Sequence, residues 1–563
     1  MKIPSIPQLV RNANRLREIV GVLIKYGMAN WVSRLGLGFA NELFKDYEGE
    51  LVAKHSPATR FRMALTECGP TFIKLGQILS TRGDIVGVEL AHELRKLQAD
   101  VPPDPPEVAL ATIEAELGQP AHELFSRFEQ TPLASASIGQ VHRAQLADGA
   151  EVIVKVRHAD IEEKVNVDLE ILAGLAQLAE RVPDLQNFRP RETVAEFQRM
   201  LRRELDFGRE ERHMQEFAQN FAGDATIHIP RVYAELSTGR VLTMEFLEGT
   251  KLTETAALIE QHFDLPEIAR RGAEIYLEMI FTHGFYHADP HPGNILVLEG
   301  NVVGLLDYGM VGRIDEPLRE DIEEMLLAIA NRDAMQLTAV ITRLGAVPPG
   351  LDRAALSVDV ADFVSHYVGQ RLDEFNLSGA LEEMIEIVHR YRIMLPARVA
   401  MLLKVLIMLE GTARLLNPKF NLIEVMQPYQ KRLILRRLSP ARQLRKMRRI
   451  YSELEHLAES LPRGILDIIQ QIQSGKFDVH LDHRGLEPSV NRLVYGMLTS
   501  ALFLGSSLLL SRQVPPLVNI PPWIENPWVP NLSILGLLGC GVSIALGLRL
   551  LRAISKSGHL DRR

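Results

Sequence analysis

The chain has 563 residues, too many for one ordinary core, so two or more folded units are expected. Hydrophobic residues make up 46% and charged residues 24%, which excludes a disordered chain, a collagen and a mucin-like stalk. A net charge of −8 argues against a globally basic nucleic-acid binder, and the two cysteines, Cys68 and Cys540, offer no CxxC pair for a disulfide framework or a cysteine-based zinc site.

The opening MKIPSIPQLVRNANRLREIV is basic but lacks an apolar h-region with a cleavage site, so no secretory signal is expected. Leu9, Ala13, Leu16, Val20 and Leu23 keep a helical spacing, and residues 1–130 read as a helical N-terminal extension. Within it lies Phe72-Ile73-Lys74-Leu75-Gly76-Gln77. On physical grounds alone Lys74 is a surface lysine and Gly76 a helix glycine. Pro102, Pro103, Pro105 and Pro106 mark a linker.

Residues 131–345 change character. Ala134-Ser135-Ala136-Ser137-Ile138-Gly139-Gln140 is a small-residue loop, followed by the strand EVIVKV at Glu151–Val156. Residues 191–217 read as one helix, with Val194, Phe197, Leu201 and Leu205 on one face. In that helix Asp206 and Glu210 share a face and Glu204 points elsewhere. RVLTMEF at Arg240–Phe246 is a further strand, and Glu245 and Leu247 at its end are candidate nucleotide-binding positions. Ile295–Leu298 and Val302–Leu306 flank Glu299-Gly300-Asn301 as a hairpin. Residues 315–430 are helical, and 346–430 read as the helical remainder of the second lobe.

The most specific pattern is His287-Ala288-Asp289-Pro290-His291-Pro292-Gly293-Asn294, an H-x-D-x-x-x-x-N spacing. An Asp here orients or deprotonates a hydroxyl or water, and the Asn five residues on holds a metal that bridges phosphates. Just past the hairpin stands Leu306-Asp307-Tyr308-Gly309, a variant of D-F-G whose Asp suits Mg²⁺ as a hard oxygen ligand. A zinc site on His287, Asp289 and His291 is the rival reading, weakened by the lack of a further Cys or carboxylate nearby. Upstream, Lys155 in VIVKV resembles the strand lysine that meets nucleotide phosphates. Its acidic partner belongs to Arg203-Glu204-Leu205-Asp206-Phe207-Gly208-Arg209-Glu210-Glu211, where the residues alone leave Glu204 and Glu210 both open. The Ala134–Gly139 loop stands where G-x-G-x-x-G would, so altered phosphate geometry is expected, because Ala and Ser restrict the backbone.

The C-terminal quarter is different again. Residues 431–490 form a basic juxtamembrane segment. Its KRLILRRLSPARQLRKMRR run carries nine Lys/Arg and no acid, which suits anionic lipid headgroups. Leu493–Leu510 and Leu532–Leu548 are uncharged and each reaches about 26 Å as a helix, enough for a thin hydrocarbon core. The rival reading is a pair of buried core helices. Arg492, Arg549, Arg552 and Lys556 flank the outer ends. Trp523 and Trp528 lie in the connection, where interfacial aromatics belong, and the Lys/Arg excess at the outer ends leads both ends to be expected in the cytoplasm. Gly539, Ser543 and Gly547 form a small-residue stripe suited to helix packing.

Taken in order, KLGQ at Lys74–Gln77, the Ala-rich loop, Lys155, ELD at Glu204–Asp206, Glu210, HADPHPGN and DYG resemble the UbiB/ADCK (AarF-type) family of atypical protein-kinase-like proteins. The resemblance covers roughly residues 60–330. It implies an α+β, bilobal kinase-like fold with a helical N-terminal extension over the active site, a C-terminal two-helix transmembrane hairpin at 491–563, and ATP and Mg²⁺ as cofactors. It implies Lys155 and Glu210 as the ion pair, Asp289 as the catalytic-loop acid, Asn294 and Asp307 as metal ligands, and Lys74 and Gln77 as lid residues facing Glu204 and Asp206. The loop reads ASAS where the family often shows AAAS. The two spans look like the bacterial quinone-biosynthesis branch. That branch implies a multi-pass inner-membrane phosphotransferase or ATPase with a cytoplasmic catalytic domain. It would meet isoprenoid quinone precursors and quinone-biosynthesis enzymes, with no nucleic-acid partner; a homodimer stays open. A conventional protein kinase and a non-catalytic nucleotide-binding scaffold are the rivals.

Overall fold

The computed structural model describes residues 6–29, 55–97, 102–182, 189–348, 350–368, 376–437, 486–518 and 532–556. It divides into two units, residues 1–442 and 443–563. In the first, the extension contributes α1 (Ile6–Lys25), α2 (Pro57–Cys68), α3 (Pro70–Leu79), α4 (Gly83–Val86) and α5 (Val88–Leu94). Ser56 caps α2 by accepting the Thr59 N–H at 3.2 Å, and Pro57 and Pro70 start their helices where the missing N–H costs nothing. Leu65, Phe72 and Leu94 share a core with Leu169 of α8 (Ile161–Ala179) and with Phe197 and Leu201 of α9 (Pro190–Glu204). The extension is therefore docked onto the helices that lead into the acidic motif.

Pro102–Pro105 is a connector, and Pro106 opens α6 (Pro106–Leu117), followed by α7 (Ala121–Leu124). These two helices belong with the sheet. Ala109 and Ile113 pack on Val152, Val154 and Val156, the buried positions of β4 (Glu151–Arg157). Strand alternation puts Ile153 and Lys155 on the opposite face. The sheet is antiparallel, in the order β1 (Arg127–Phe128), β3 (Gly139–Gln145), β4 and β6 (Val241–Glu245), with β2 (Ala134–Ser135) on β3.

The single helix expected over 191–217 is two. α9 ends at Glu204, and α10 (Phe207–Asn220) starts on Asp206, whose carboxylate accepts the Gly208 N–H at 3.1 Å. The Phe207 N–H reaches the Gly239 carbonyl at 3.0 Å, a tertiary bond that helps fix the break. Asp206 and Glu210 therefore do not share one helix face.

The second lobe holds β5 (Ile227–His228), β7 (Thr250–Lys251), α11 (Thr255–Glu260), α12 (Leu265–Glu278), β8 (Phe285–His287), β9 (Ile295–Leu298), β10 (Val302–Leu305) and β11 (Val311–Arg313). β9 and β10 pair antiparallel across a turn in which Gly300 takes φ of 75° and Asn301 of 58°, the left-handed conformations those residues tolerate. Helices α13 (Glu316–Ala330), α14 (Ala334–Leu344), α15 (Arg353–Val368), α16 (Leu377–Arg390), α17 (Ala397–Leu416) and α18 (Leu422–Arg437) complete it. α17 runs through the centre: Val399–Leu403, Val405, Ile407 and Leu409 are all buried. The mixed helix and strand architecture, with a strand-rich lobe, a helical lobe and a helical extension, is the kinase-like one. Of the basic run, residues to Arg437 continue α18 and 438–449 lie outside the described residues.

In the second unit, α19 (Leu486–Ser511) packs on α20 (Ile534–Lys556). Residues Leu493–Ser511 and Ile534–Arg552 are long and apolar enough to cross a membrane. They are not core helices of that unit, since little of either is buried and Leu498, Leu504, Leu538 and Ile544 face outward. Ser506 and Gly539 touch, and Ser543 is buried, so the small-residue stripe faces α19. The two helices mark membrane association. Trp523 and Trp528 lie outside the described residues.

Candidate functional site

Lys155 Nζ lies 2.5 Å from Glu210 Oε1, both side chains largely buried. Glu210 sits in the first turn of α10, where a carboxylate complements the helix dipole. The same Oε1 accepts the Tyr308 N–H at 3.1 Å, so one carboxylate joins the strand lysine to the DYG turn. Burial opposes the charge on Lys155, but Glu210 and Asp307 hold its ammonium above the ordinary lysine value.

Asp307 stands at the end of the hairpin, open to the cleft, with Oδ1 accepting the Gly309 N–H at 2.9 Å. Burial pushes its carboxyl up, yet Lys155, that N–H and Lys74 together hold it below the usual value. Asp307 therefore stays an anion. His287 fixes the turn behind it. Nε2–H donates to the Asp307 carbonyl, and Nδ1 accepts from the Asp289 N–H at 3.3 Å and lies 3.2 Å from the Tyr276 hydroxyl. Burial keeps this imidazole below its ordinary value and neutral. Both ring nitrogens are thus spent, and His291 uses Nδ1 on the Gly293 N–H at 3.0 Å. That hydrogen bonding removes the zinc reading of the loop. On the far side, His213 Nδ1 lies 2.9 Å from the Tyr308 carbonyl and holds the DYG turn from α10, a contact that nothing in the sequence singled out.

Asp289 is held at both oxygens. Asn294 Nδ2 donates to Oδ2 at 3.2 Å, and Lys404 of α17 reaches Oδ1 at 3.4 Å. With its amide nitrogen on Asp289, Asn294 keeps Oδ1 for a cation. Asp307 and Asn294 offer the hard oxygens that Mg²⁺ takes alongside phosphates and water. Among the described residues no group of three or more His, Cys, Asp or Glu stands together as a metal site.

The extension enters here. Lys74 on α3 forms an ion pair with Glu204, with side chains 13% and 12% exposed. Burial works against the Lys74 ammonium, and Glu204, Asp307 and Asp289 raise it above the ordinary value. Burial also pushes the Glu204 carboxyl up against the pull of Lys74, but with the two groups in direct contact the ion pair is the supported form. Gln77 instead donates to the Leu97 carbonyl at 3.2 Å and pins the helix. A Cβ at Gly76 would run into Leu97 and Leu65, which explains the glycine between them. Asp206, expected beside Lys74, caps α10 and lies 3.6 Å from Arg212. The extension is clasped a second time: Arg82 and Asp84 pair at 2.9 Å, and Asp84 accepts the Leu395 N–H at 3.0 Å, just ahead of α17.

The Ala-rich loop is partly spent on itself. The Ala136 N–H donates to the Gly139 carbonyl at 2.9 Å, and the Ala136 carbonyl accepts from His158 at 3.0 Å. Ala134 and Ser135 form β2, Ser137 is buried, and Ile138 packs on the extension's core. Gly139 is required by packing, since a Cβ would come 2.6 Å from the Val156 carbonyl. The Glu245 carboxylate is used by His228 and the Arg231 N–H, each at 3.0 Å, and Leu247 is buried against Gly304. Beside Glu204 a cavity of about 570 Å³ opens, bounded by Met200, Arg203, Arg209, Met310 and Met401.

A strand lysine paired with a helix glutamate, an Asp–Asn loop and the Asp of a DYG turn define a kinase-like protein. The sequence matches the model of the ABC1 atypical kinase-like domain over residues 96–341. It also matches the UbiB helical domain over 360–421 and the ABC1/UbiB kinase-like C-terminal domain over 480–556. The chain belongs to this ABC1/UbiB family. It is 33% identical to the probable protein kinase UbiB of Pseudomonas aeruginosa, over 73% of this chain and 78% of that one. The Azotobacter vinelandii protein of the same description is 32% identical over 82% and 84%. An uncharacterised Clostridium pasteurianum protein is 30% identical over 97% of this chain and 99% of its own length.

Proposed function

We propose that the chain is a membrane-anchored, Mg²⁺- and ATP-dependent kinase-like ATPase or small-molecule kinase that supports ubiquinone biosynthesis. The observation that carries this reading is the convergence of the Lys155–Glu210 pair and Asp307 on one DYG turn, with Asp289 and Asn294 on the adjoining loop. Lys155 orients nucleotide phosphates. Mg²⁺, held by Asp307 and Asn294, neutralises phosphate charge when bound. An acceptor hydroxyl or water gives its proton to the Asp289 carboxylate as its oxygen bonds to the γ-phosphorus. The bond from that phosphorus to the bridging oxygen breaks, and ADP leaves with the electron pair. The Pseudomonas and Azotobacter relatives are each described as a probable protein kinase UbiB, which supports the kinase-like part of the reading.

A conventional protein kinase fits less well, because Lys74 and its helix are docked beside the catalytic carboxylates. The cavity beside Glu204 is the proposed entrance for a small acceptor. The two apolar helices would cross the inner membrane with both outer ends in the cytoplasm, as Arg549 and Arg552 favour. Anionic lipid, quinone precursors and quinone-pathway enzymes are the proposed partners. The test is Mg²⁺-dependent ATP turnover by the full chain in detergent. Asp289→Asn should lower kcat by about 100-fold or more, the scale of a lost general base. Turnover indifferent to Asp289→Asn would refute the reading.

A further inference from the structure

The catalytic loop carries no Lys or Arg between Asp289 and Asn294; it reads Pro290, His291, Pro292, Gly293. The cation that meets Asp289 comes from 115 residues further on, Lys404, in the middle of the apolar helix α17. Lys404 is 8% exposed, with Leu403 and Val405 buried on either side. Burying an ammonium costs several kcal/mol unless an anion and further acceptors meet it. The acid in contact with it is Asp289, at 3.4 Å to Oδ1. Two turns along the same helix, the Thr412 hydroxyl donates to the Pro290 carbonyl at 3.2 Å. α17 therefore grips the loop at two consecutive residues. Asp289 ends up with one donor on each oxygen, Lys404 on Oδ1 and Asn294 on Oδ2. Lys74 also acts on Asp289 electrostatically, but its direct partner is Glu204.

We propose that Lys404 is a positioning residue for the transfer reaction, acting through Asp289: its ammonium fixes the rotamer of that carboxylate. Two donors from distant elements hold the carboxylate in place before an acceptor arrives, so that its remaining lone pairs face the incoming hydroxyl. The cation that this loop does not carry is supplied in space by the second lobe's central helix. The assignment rests on the Mg²⁺–ATP reading above. It adds a residue outside every motif in the sequence. The bland alternative is a buried lysine that serves packing alone.

The two are separated by steady-state ATP turnover and Mg²⁺–ATP affinity of the full chain in detergent, with thermal melting alongside. Lys404→Met, Lys404→Gln and Lys404→Arg are each made alone and together with Asp289→Asn. The Met and Gln variants should lose about 30-fold in kcat while KM and nucleotide affinity stay within about twofold. Arg should restore kcat to within about fivefold of wild type, because it keeps the charge. In the Asp289→Asn background, removing Lys404 should cost less than about twofold more, since the two act as one unit. Unchanged kcat in the Met variant would overturn the proposal. So would a full, additive loss on top of Asp289→Asn, or an equal loss of nucleotide affinity. Should both neutral variants fail to fold, the Arg variant decides alone: kcat within about fivefold supports the proposal, and a loss above about 30-fold in a folded protein overturns it. Turnover that responds to Asp289→Asn but not to Lys404 would remove Lys404 alone. Turnover that ignores Asp289→Asn would remove the underlying reading and the assignment with it.

Discussion

Asp307→Asn should abolish the metal dependence of nucleotide binding while the fold survives. Both Lys155 and Lys74 act upon the Asp307 carboxylate and hold it below the usual value. Asparagine keeps the shape and the acceptor for the Gly309 N–H, so the DYG turn remains closed. What it loses is the hard anionic oxygen that Mg²⁺ needs. Affinity for ATP in the presence of Mg²⁺ should fall by about 100-fold, taking the upper range seen when groups supporting a metal are removed. Affinity without metal should stay the same or rise, because two lysines then face the phosphates without Asp307 drawing on their charge. Calorimetry with and without Mg²⁺ reads both arms. An unchanged Mg²⁺ effect would remove Asp307 from the site.

Lys74→Ala should loosen the extension and open the site to the chain's own hydroxyls. Breaking a buried ion pair by removing one partner costs about 3–5 kcal/mol, because the remaining charge is stranded. Here Glu204 would be left buried beside Asp307. The Arg82–Asp84 clasp to Leu395 should keep the extension attached, so the effect is local opening rather than release. Hydrogen exchange over Pro57–Leu94 should speed up, and phosphate label should appear on the chain itself. Lys74→Ala combined with Glu204→Ala should recover part of the lost protection, since no stranded charge remains. The ammonium is raised above the ordinary lysine value, so its side of the pair is lost only as pH climbs past that raised value, while the Glu204 carboxyl, pushed up by burial, sets the acid limit, where the pair is lost as pH falls through its raised value. If Lys74 only decorated a helix, exchange and labelling would both stay at wild-type levels.

Much of the site was legible because its chemistry is local in sequence. Asp289 and Asn294 are separated by one fixed loop, and Asp307 follows a hairpin whose Glu299-Gly300-Asn301 turn announces itself. The apolar strand around Lys155 marked that lysine, and the fold sets it opposite Val152, Val154 and Val156. What stayed hidden depends on contacts between distant segments. The choice between Glu204 and Glu210 turned on a helix break at Leu205–Asp206, fixed partly by the backbone of Gly239. One unbroken helix was the natural reading of the apolar spacing, and it put Asp206 on the wrong face. Gly76 looked like an arbitrary helix glycine until Leu65 and Leu97 closed on it. Lys404 carried a signal that could have been used: a lone cation inside MLLKVLIML must find a buried partner. Nothing in the sequence says that the partner is Asp289.

The most direct test of the central claim follows the γ-phosphoryl group. The full chain, reconstituted in vesicles containing anionic lipid, is given γ-labelled ATP with Mg²⁺, a quinone-precursor mimic and a generic protein substrate. The account predicts label released as inorganic phosphate or carried on the small acceptor, no label on the added protein, and neither product when Asp289 is replaced by Asn. Label accumulating on the added protein, or no transfer to any acceptor, would contradict it.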